Sequence, residues 1–572
     1  MSWVRAIALD LDGTIASHDV VAPDVVRAVG QARLRGFRVL LVTGRTVKAL
    51  EKQFPGLITH FDAVVAENGS VLVGLDRHRW LAEPVNRALA DSLEQRGVCL
   101  NRGEVLLAMS AEHDAVVLRE VTDRGLDCVL LRNRGELMVL PAGVSKGSGL
   151  LAALELFGLS AHNTIVVGDA ENDHAMFDVA EFAVATANAV PSVKEHADLV
   201  LEEPNGAGVI GLLGGPIMDG EQGSTSVRRR VRVGAFADGS PTLLPSTCAT
   251  VMIVGGSGRG KSYLAGVVTE QLLDAGYQVL VVDPEGEQSA LGDLPNVEIV
   301  QAADSTEADQ IAQRLHRGHS VVLDLSAIGP PTRMQLLRDL AALVVELRAE
   351  SGVPHWIVVD EAHTLIGVEG PLRGVFDPTA GGHLFVSYHP ERLCPEVLSG
   401  VDVVLSASPP IDQLIDTENL PASSLPRAAF GQAQVLRSDR ADTARPFTVA
   451  ARITAHQRHQ RKYAHMTLPQ GKGFRFRSSA EHQLPEALSM EQFQSQLHQV
   501  SPDTLAWHLR RGDLSRWFGE VLQDRDLATF IAHVERDLVH EQQLQVLRCR
   551  DDVSAAIDDR YLVGREPVPA MP

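Results

Sequence analysis

The chain has 572 residues, which at roughly 150 per domain predicts three to four domains. Its 52 Lys+Arg against 73 Asp+Glu leave a net charge of −21, with 45% hydrophobic and 22% charged residues. That balance excludes disorder, collagen and coiled coil as the overall class, and it argues against a nucleic-acid coat or an anionic membrane surface as the main partner. No apolar run reaches the ~18 residues that span a bilayer, and Met1 leads into Ala6–Asp10 without a basic n-region, so neither a membrane partner nor a signal peptide is expected. The cysteines (Cys99, Cys128, Cys248, Cys394, Cys549) lie far apart with no CxxC, which suits reduced thiols in a cytoplasmic protein.

Taken in chain order, β-branched runs at 4–10, 37–43, 63–67 and 164–169 alternate with helical patterns and predict a parallel sheet covered by helices. Between 82 and 140 the rhythm changes to a small α/β insert, with a hairpin of Cys128–Arg132 and Glu136–Leu140 turning at Asn133-Arg134-Gly135. The first domain is therefore 1–81 with 141–211, interrupted by 82–140. Residues 212–230 gather Gly, Pro and Ser without periodicity and read as a linker. A second alternating region runs over 231–452, and 453–572 is a basic segment followed by helices. The fold class expected is α/β multidomain: a Rossmann-like core with an α/β insert, a second α/β domain, then a mainly helical module.

Asp10-Leu-Asp12-Gly-Thr14 follows the first apolar strand directly, where ligands bind in parallel sheets. Two carboxylates at i and i+2 can serve as nucleophile or metal ligand and as general acid. Thr43-Gly44-Arg45 ends the second strand, Lys146 sits in GVSKGSG, and Gly168-Asp169-Ala-Glu-Asn172-Asp173 ends the fourth. A hydroxyl, an ammonium and a second acidic cluster suit a phosphate with Mg²⁺.

The order DxDGT, TGR, K, GDxxND resembles the haloacid-dehalogenase phosphatase superfamily, and Glu67-Asn68-Gly69 narrows the likeness to its Cof-type, sucrose-phosphate-phosphatase-like branch, with an α/β cap at 82–140. The resemblance implies that Asp10 attacks phosphorus to give an aspartyl-phosphate and that Asp12 protonates the leaving alcohol and then activates water. It places Thr43, Gly44, Arg45, Asn68, Lys146 and Asn172 on phosphate or substrate. Asp10, Asp12 (through its backbone carbonyl), Asp169 and Asp173 would bind or support Mg²⁺. The implied substrate is a sugar phosphate or similar small metabolite, contacted from the cap hairpin by Arg132, Asn133, Arg134 or Glu136. The competing reading of that hairpin is an exposed charged turn.

Gly255-Gly256-Ser257-Gly258-Arg259-Gly260-Lys261-Ser262 satisfies GxxxxGK[ST] between a predicted strand and helix. Its backbone N–H groups would wrap the phosphates of ATP, Lys261 would reach the β/γ oxygens and Ser262 would bind Mg²⁺. Asp360 and Glu361 end the strand of HWIVVDEAH, for Mg²⁺ and for the attacking water. With VLVVDPEGE (279–287), this region resembles the HerA/FtsK-like ATPases. Two departures stand out: the sensor strand ends in Ser387-Tyr388-His389-Pro390 where that family has Thr-Gln-x-Pro, and Arg373 is the only arginine between Glu361 and that strand.

Residues 451–480 hold Arg452, Arg458, Arg461, Lys462, Lys472, Arg475 and Arg477, with His456, His459 and His465, and Phe474 and Phe476 interleave with the last two arginines. Such a pattern can clamp nucleic acid. The acidic remainder favours instead a basic strand docked on this same protein, and zinc is not expected without a cysteine or carboxylate at ligand spacing. Trp507, Leu509, Leu514 and Trp517 are expected to pack a helical core, in a string that weakly resembles an uncharacterised helical module. The sequence thus predicts a Mg²⁺-dependent phosphatase with an ATP-binding auxiliary or regulatory domain. The alternatives are an ATP-driven nucleic-acid machine with a phosphatase acting on nucleic-acid ends or nucleotides, and a nucleotide-sensing scaffold with little turnover. Oligomeric state stays open.

Overall fold

The computed structural model describes residues 3–558 apart from 75–76, 134, 220–225, 256–259, 368, 378–379, 408–431, 438–444, 455–467, 469–470, 478–483, 523, 537 and 539–542. Two compact units form: Met1–Pro284 with Gln288–His456, and Gln457–Pro572 with Glu285–Glu287.

In the first unit, buried β-branched runs make an eight-stranded sheet. From one edge it runs Leu199–Val200, Phe182–Ala185, Thr164–Gly168, Ala6–Asp10, Arg38–Val42 and Ala63–Ala66, all parallel, and continues antiparallel through Val71–Gly74 and Arg77–Trp80. Every residue of Ala6–Asp10 is buried, as a strand with helices on both faces requires. The central register pairs Ala6 with both Thr164 and Arg38, so the ends of three strands fall side by side. Helix Lys146–Leu156 starts at Ser145 with a capping box to Ser148, which fixes Lys146 at the first helical position. Gly147 lets this helix lie against the chain at Ala175, whose carbonyl oxygen would sit 2.1 Å from any added Cβ.

The insert is a separate antiparallel sheet ordered Cys128–Asn133, Glu136–Pro141, Leu107–Ser110, Asn101–Arg102, packed on helices Arg87–Gln95 and Asp114–Asp123. Its hairpin is one residue tighter at the first strand than expected. Asn133 pairs with Glu136, so the strand runs on through Asn133 and the turn shrinks to two residues.

Among the described residues the second sheet has eleven strands. Its parallel part is ordered Val403–Ser406, Thr250–Val254, His383–Ser387, Trp356–Val359, Val279–Asp283, Ser320–Asp324, Val297–Gln301. Four antiparallel strands (Gln432–Arg437, Arg445–Val449, Arg230–Phe236, Pro241–Pro245) extend the sheet beyond Val403–Ser406.

In the second unit, helices Met490–Gln499, Pro502–Arg510, Asp513–Glu520, Arg525–Arg536 and Gln543–Ile557 enclose a core that includes Phe474, Phe476, Phe493 and Phe518. Leu509, Leu514 and Trp517 join that core as expected. Trp507 does not: it is 41% exposed, with the Arg511 guanidinium over its ring.

Candidate active site and nucleotide site

Asp10 ends its strand and is 3% exposed. Beside it, Thr164–Gly168 delivers Asp169, and the turn after it delivers Asn172 and Asp173. Asp10, Asp169 and Asp173 each offer an oxygen within 4.8 Å of the others. The Lys146 ammonium donates to Asp10 Oδ1 and Asp173 Oδ1, both at 2.6 Å. Asp173 Oδ2 accepts the backbone N–H groups of Asp169 and Ala170 at 2.8 and 3.0 Å. Thr14 Oγ1 donates to Asp169 Oδ1 at 3.2 Å. Gly13 has φ +85°, and a Cβ there would sit 2.3 Å from Asp169 Oδ2, so the DxDGT turn can approach the second acidic loop only as glycine.

Charge in this cluster does not balance. Burial pushes the Asp10 carboxyl well above its ordinary range; Lys146 opposes the shift, and Asp173 and Asp169 add to it. Burial would lower the Lys146 ammonium, yet Asp10 and Asp173 outweigh it and hold the group protonated. Three buried carboxylates around one ammonium, all with oxygen donors, fit a hard divalent cation.

Above this cluster opens a cavity of about 380 Å³. Asp10, Asp12, Gly44, Arg45, Lys146 and Asn172 all line it. Arg45 Nε and Nη2 donate to Asp12 Oδ2 and Oδ1 at 2.8 and 2.6 Å, and Arg45 also pairs with Asp19. The bond to Asp12 is the main cause that raises the Arg45 guanidinium above its ordinary value. Thr43 is buried and its Oγ1 accepts the Arg45 N–H at 3.1 Å. Asn68 is buried and accepts from Asn172 Nδ2 at 3.3 Å.

Two contributors were missed by the sequence reading. Asp19 is the second partner of Arg45. Glu67 is fully buried, and its carboxylate accepts the backbone N–H groups of Glu104, Val105 and Leu106 at 2.8, 2.9 and 3.1 Å, tying the insert to the core. Glu67 and Asn68 both have positive φ, +52° and +56°. The Asn-Gly pair at 68–69 signals such a turn, but nothing local announces the distant backbone partners.

Of the phosphate loop, Gly256, Ser257, Gly258 and Arg259 lie outside the described residues. Gly255 closes the preceding strand with φ +152°, Gly260 caps helix Lys261–Asp274 in the left-handed region, and Lys261 is buried at its start. Ser262 follows in the first turn, its carbonyl accepting from Gln288 Nε2 at 2.9 Å. Asp360 is buried beside Glu361, which has φ +46° and lies 3.5 Å from His363 Nδ1. Lys261 Nζ stands 5.9 Å from the ring centre of Tyr388, at the place where the sensor departs from the HerA/FtsK pattern. Arg373 is paired with Glu396 at 3.1 Å.

The basic segment gives no base-stacking surface among its described residues. Phe474 and Phe476 are 5% and 2% exposed, and Arg475 pairs with Glu486. Arg452 is bound to Glu270 at 2.8 Å inside the first unit. Arg134, Arg458, Arg461, Lys462, His456, His459 and His465 lie outside the described residues. No described helix is long and apolar enough to cross a membrane.

Comparison with known proteins agrees with this geometry. Residues 7–92 and 117–213 match the haloacid dehalogenase-like hydrolase family, and residues 250–343 match the helicase HerA central domain. Phosphoglycolate phosphatase 2 of Saccharolobus solfataricus is 36% identical over 216 residues, covering 36% of this chain and 90% of that protein. The phosphoglycolate phosphatase of Archaeoglobus fulgidus is 33% identical over 218 residues, covering 36% and 94%. A haloacid dehalogenase-like hydrolase structure from Bacteroides thetaiotaomicron is 19% identical, covers 37% of this chain and 98% of that one, and has a TM-score of 0.33. The chain thus belongs to the haloacid dehalogenase-like hydrolases, as a phosphatase that hydrolyses phosphomonoesters and is joined to a HerA-like ATPase domain.

Proposed function

We propose that Asp10 is the nucleophile of a Mg²⁺-dependent phosphatase acting on a small phosphorylated metabolite. The observation that carries this reading is the buried Asp10 carboxylate, hydrogen-bonded to Lys146 and clustered with Asp169 and Asp173 at the floor of an open cavity. Asp10, Asp169 and Asp173 would hold Mg²⁺, with the Asp12 carbonyl. When bound, the ion supplies positive charge for the phosphoryl oxygens.

An Asp10 carboxylate oxygen attacks phosphorus, the ester P–O bond breaks, and the departing alkoxide takes the proton of Asp12. Water then attacks phosphorus and gives its proton back to Asp12, the aspartyl–phosphorus bond breaks, and phosphate leaves with Asp10 regenerated. Phosphoryl transfer needs positioning and charge neutralisation above all. Thr43, Gly44, Asn172 and Lys146 would supply these around the phosphoryl oxygens, with Asn68 holding Asn172. Arg45 holds Asp12 beside the reacting centre. The names of the relatives make 2-phosphoglycolate one substrate to try, and sugar phosphates the other.

The second domain would bind ATP at 255–262 with Lys261 and Ser262, Asp360 on its Mg²⁺ and Glu361 on the attacking water, as an auxiliary to the phosphatase. Burial of Phe474 and Phe476 weighs against the nucleic-acid machine. The test is phosphate release from a panel of sugar phosphates, 2-phosphoglycolate, nucleotides and phosphorylated DNA ends, with Mg²⁺, with and without ATP. Wild type is run beside Asp10→Asn. Turnover of a small metabolite that Asp10→Asn abolishes supports the reading; activity confined to DNA ends sinks it.

A further inference from the structure

Inside the first compact unit, between its phosphatase and ATPase regions, lies a second cavity of about 290 Å³, a size that suits a small metabolite. Arg5, Asn163 and Glu181 reach it from the phosphatase side, and Tyr277, Arg348 and His355 from the ATPase side. Among the described residues it shares none with the cavity over Asp10.

Two polar atoms on its wall are left over by the fold. Asn163 is 3% exposed and donates through Nδ2 to the carbonyls of Trp3 and Gly352, at 2.9 and 3.3 Å. Both partners are acceptors, so a flipped amide would set oxygen against oxygen, and Oδ1 remains a buried acceptor without a partner. His355 shows the converse. Its Nδ1 accepts the Gln278 N–H at 2.8 Å, so the proton of the neutral ring sits on Nε2, a buried donor without a partner. Buried polar atoms left in this way cost stability, and here one molecule with its own donor and acceptor would satisfy both.

Arg348 adds charge. Its guanidinium donates to the carbonyls of His355 and Gly381, at 3.1 and 2.7 Å, and to His383 Nε2 at 3.1 Å. Among the described residues these partners are all neutral, and burial pulls the group down to about 10 although Asp377 acts the other way. The same Asp377 charge also acts on Arg5, so one carboxylate serves two guanidiniums. The other acid on the wall is occupied, because the Glu181 oxygens accept from Thr247, Tyr277 and His162. Val345, Ala349 and Phe376 give the cavity an apolar side.

We propose that this cavity binds a small 2-hydroxy carboxylic acid with an apolar tail. Its carboxylate accepts from Arg348 and from His355 Nε2, its hydroxyl donates to Asn163 Oδ1, and its hydrocarbon covers Val345, Ala349 and Phe376. An amino acid fits less well, since its ammonium would bring a positive charge beside Arg5 and Arg348. A ligand held here touches both regions and none of the residues assigned above to phosphate or nucleotide.

The test is isothermal titration calorimetry on the full chain, with 2-hydroxy-4-methylpentanoate as the probe. Three molecules of the same skeleton are run beside it. They are 4-methylpentanoate, which lacks the hydroxyl, 4-methylpentane-1,2-diol, which lacks the carboxylate, and leucine, which has an ammonium in place of the hydroxyl. The hydroxy acid is expected to bind with a Kd of about 1 mM or tighter, and each analogue at least about five-fold more weakly, because each leaves a buried group unpaired. Arg348→Met removes the charge, and Ala349→Phe fills the cavity without removing a hydrogen-bonding group. Each is expected to weaken binding at least about ten-fold, while Asp10→Asn leaves it unchanged. Should Arg348→Met fail to fold, Ala349→Phe decides. No binding of the hydroxy acid at about 10 mM, equal binding of any analogue, or undiminished binding by either folded variant overturns the inference. Loss of binding in Asp10→Asn overturns it too, by moving the ligand to the phosphatase cluster.

Discussion

Arg45 grips both carboxylate oxygens of Asp12, Nε at 2.8 Å and Nη2 at 2.6 Å, while Asp19 takes a second contact with the same guanidinium. A bidentate pair of this kind fixes orientation as well as charge. The Asp12 side chain is otherwise 43% exposed, so this pair is what orients it. In the proposed mechanism Arg45 is therefore a positioning residue for the acid–base step. Arg45→Met is expected to lower kcat on the order of 10²-fold, the cost of a misplaced catalytic group, with a smaller change in KM. Steady-state kinetics with a substrate of good leaving group checks it: such a substrate needs less protonation, so its first step should suffer less. Equal losses on good and poor leaving groups would assign Arg45 to phosphate binding.

Replacing Asp10 by Asn leaves the shape of the site and removes the proposed nucleophile. Asp10→Asn is expected to abolish phosphate release while thermal stability stays near or above that of the wild type. The stability expectation follows from the crowding of Asp10, Asp169 and Asp173, where one buried negative charge fewer relieves repulsion. Differential scanning calorimetry with a parallel phosphate assay reads both, and retained turnover would remove Asp10 from its role.

Glu67 ties cap to core through three backbone N–H groups, at Glu104, Val105 and Leu106, from a fully buried position. Bonds to a charged group contribute about 1.5–3 kcal/mol each, and orphaned buried donors cost about 1–3. Glu67→Ala is expected to destabilise the phosphatase region by about 3 kcal/mol or more. Hydrogen exchange should show loss of protection first at 104–106, which a general loss of core stability would not single out.

The sequence made the floor of the proposed site legible because each of its groups lies within a few residues of a strand end: Asp10, Thr43, Asp169 and Asp173 are read off motif and strand together. What it hid was carried by pairs distant in the chain. Nothing near Glu67 announces backbone partners 37 to 39 residues away. Asp19 belongs to no motif, and Trp507 lies at helical spacing yet faces outward. The antiparallel extension of the ATPase sheet escaped for a related reason. Arg445–Val449 shows an incomplete burial pattern that reads as no strand until Gln432–Arg437 and Arg230–Phe236 lie on either side of it. Of the four cap residues offered for substrate contact, Arg132 pairs with Leu137 and so lies on the opposite face from Glu136, a distinction that needs the register.

Buried His355 and His383 give the stability of the first unit a pH dependence. Burial is the main cause that holds both well below the ordinary histidine value, with His162 and Arg348 adding for His355 and Arg348 for His383. His355 Nδ1 accepts the Gln278 N–H at 2.8 Å, which the neutral ring alone can do. The sign follows: above about pH 6.5 both states are neutral and nothing is gained or lost, whereas below it the unfolded chain binds protons that the native chain refuses. Stability is expected to fall with decreasing pH below that point by about 1.4 kcal/mol per pH unit for each histidine. Denaturant titrations at pH 7.0, 6.0 and 5.5 measure the slope, and His383→Asn should reduce it by one proton. An unchanged slope would mean that His383 charges in the folded protein.

The two chemical sites stand at far ends of their strands. Asp10 and Asp169 follow the carboxyl ends of Ala6–Asp10 and Thr164–Gly168, while Arg5 and Asn163, just before those strands, contact the ATPase region: Arg5 Nη2 donates to the Arg348 carbonyl at 2.5 Å and Asn163 Nδ2 to that of Gly352 at 3.3 Å. On the other side of this junction lie Tyr277, which donates to Glu181 at 2.9 Å, and His355, just before the strands that lead to Asp283 and Asp360. Lys261 and Asp360 lie beyond the carboxyl ends of Thr250–Val254 and Trp356–Val359, away from the junction, so the two sites should respond independently. Lys261→Ala is expected to remove ATP binding, measured by titration calorimetry, and to leave phosphatase kcat/KM within about two-fold, as substitutions at distant sites without shared partners do. If phosphatase activity collapses in a variant whose fold is intact, the junction of Glu181 with Tyr277 carries a coupling free energy between the sites. If that coupling acts on binding, ATP shifts the affinity of the phosphatase for its substrate by the same factor that substrate shifts the affinity for ATP.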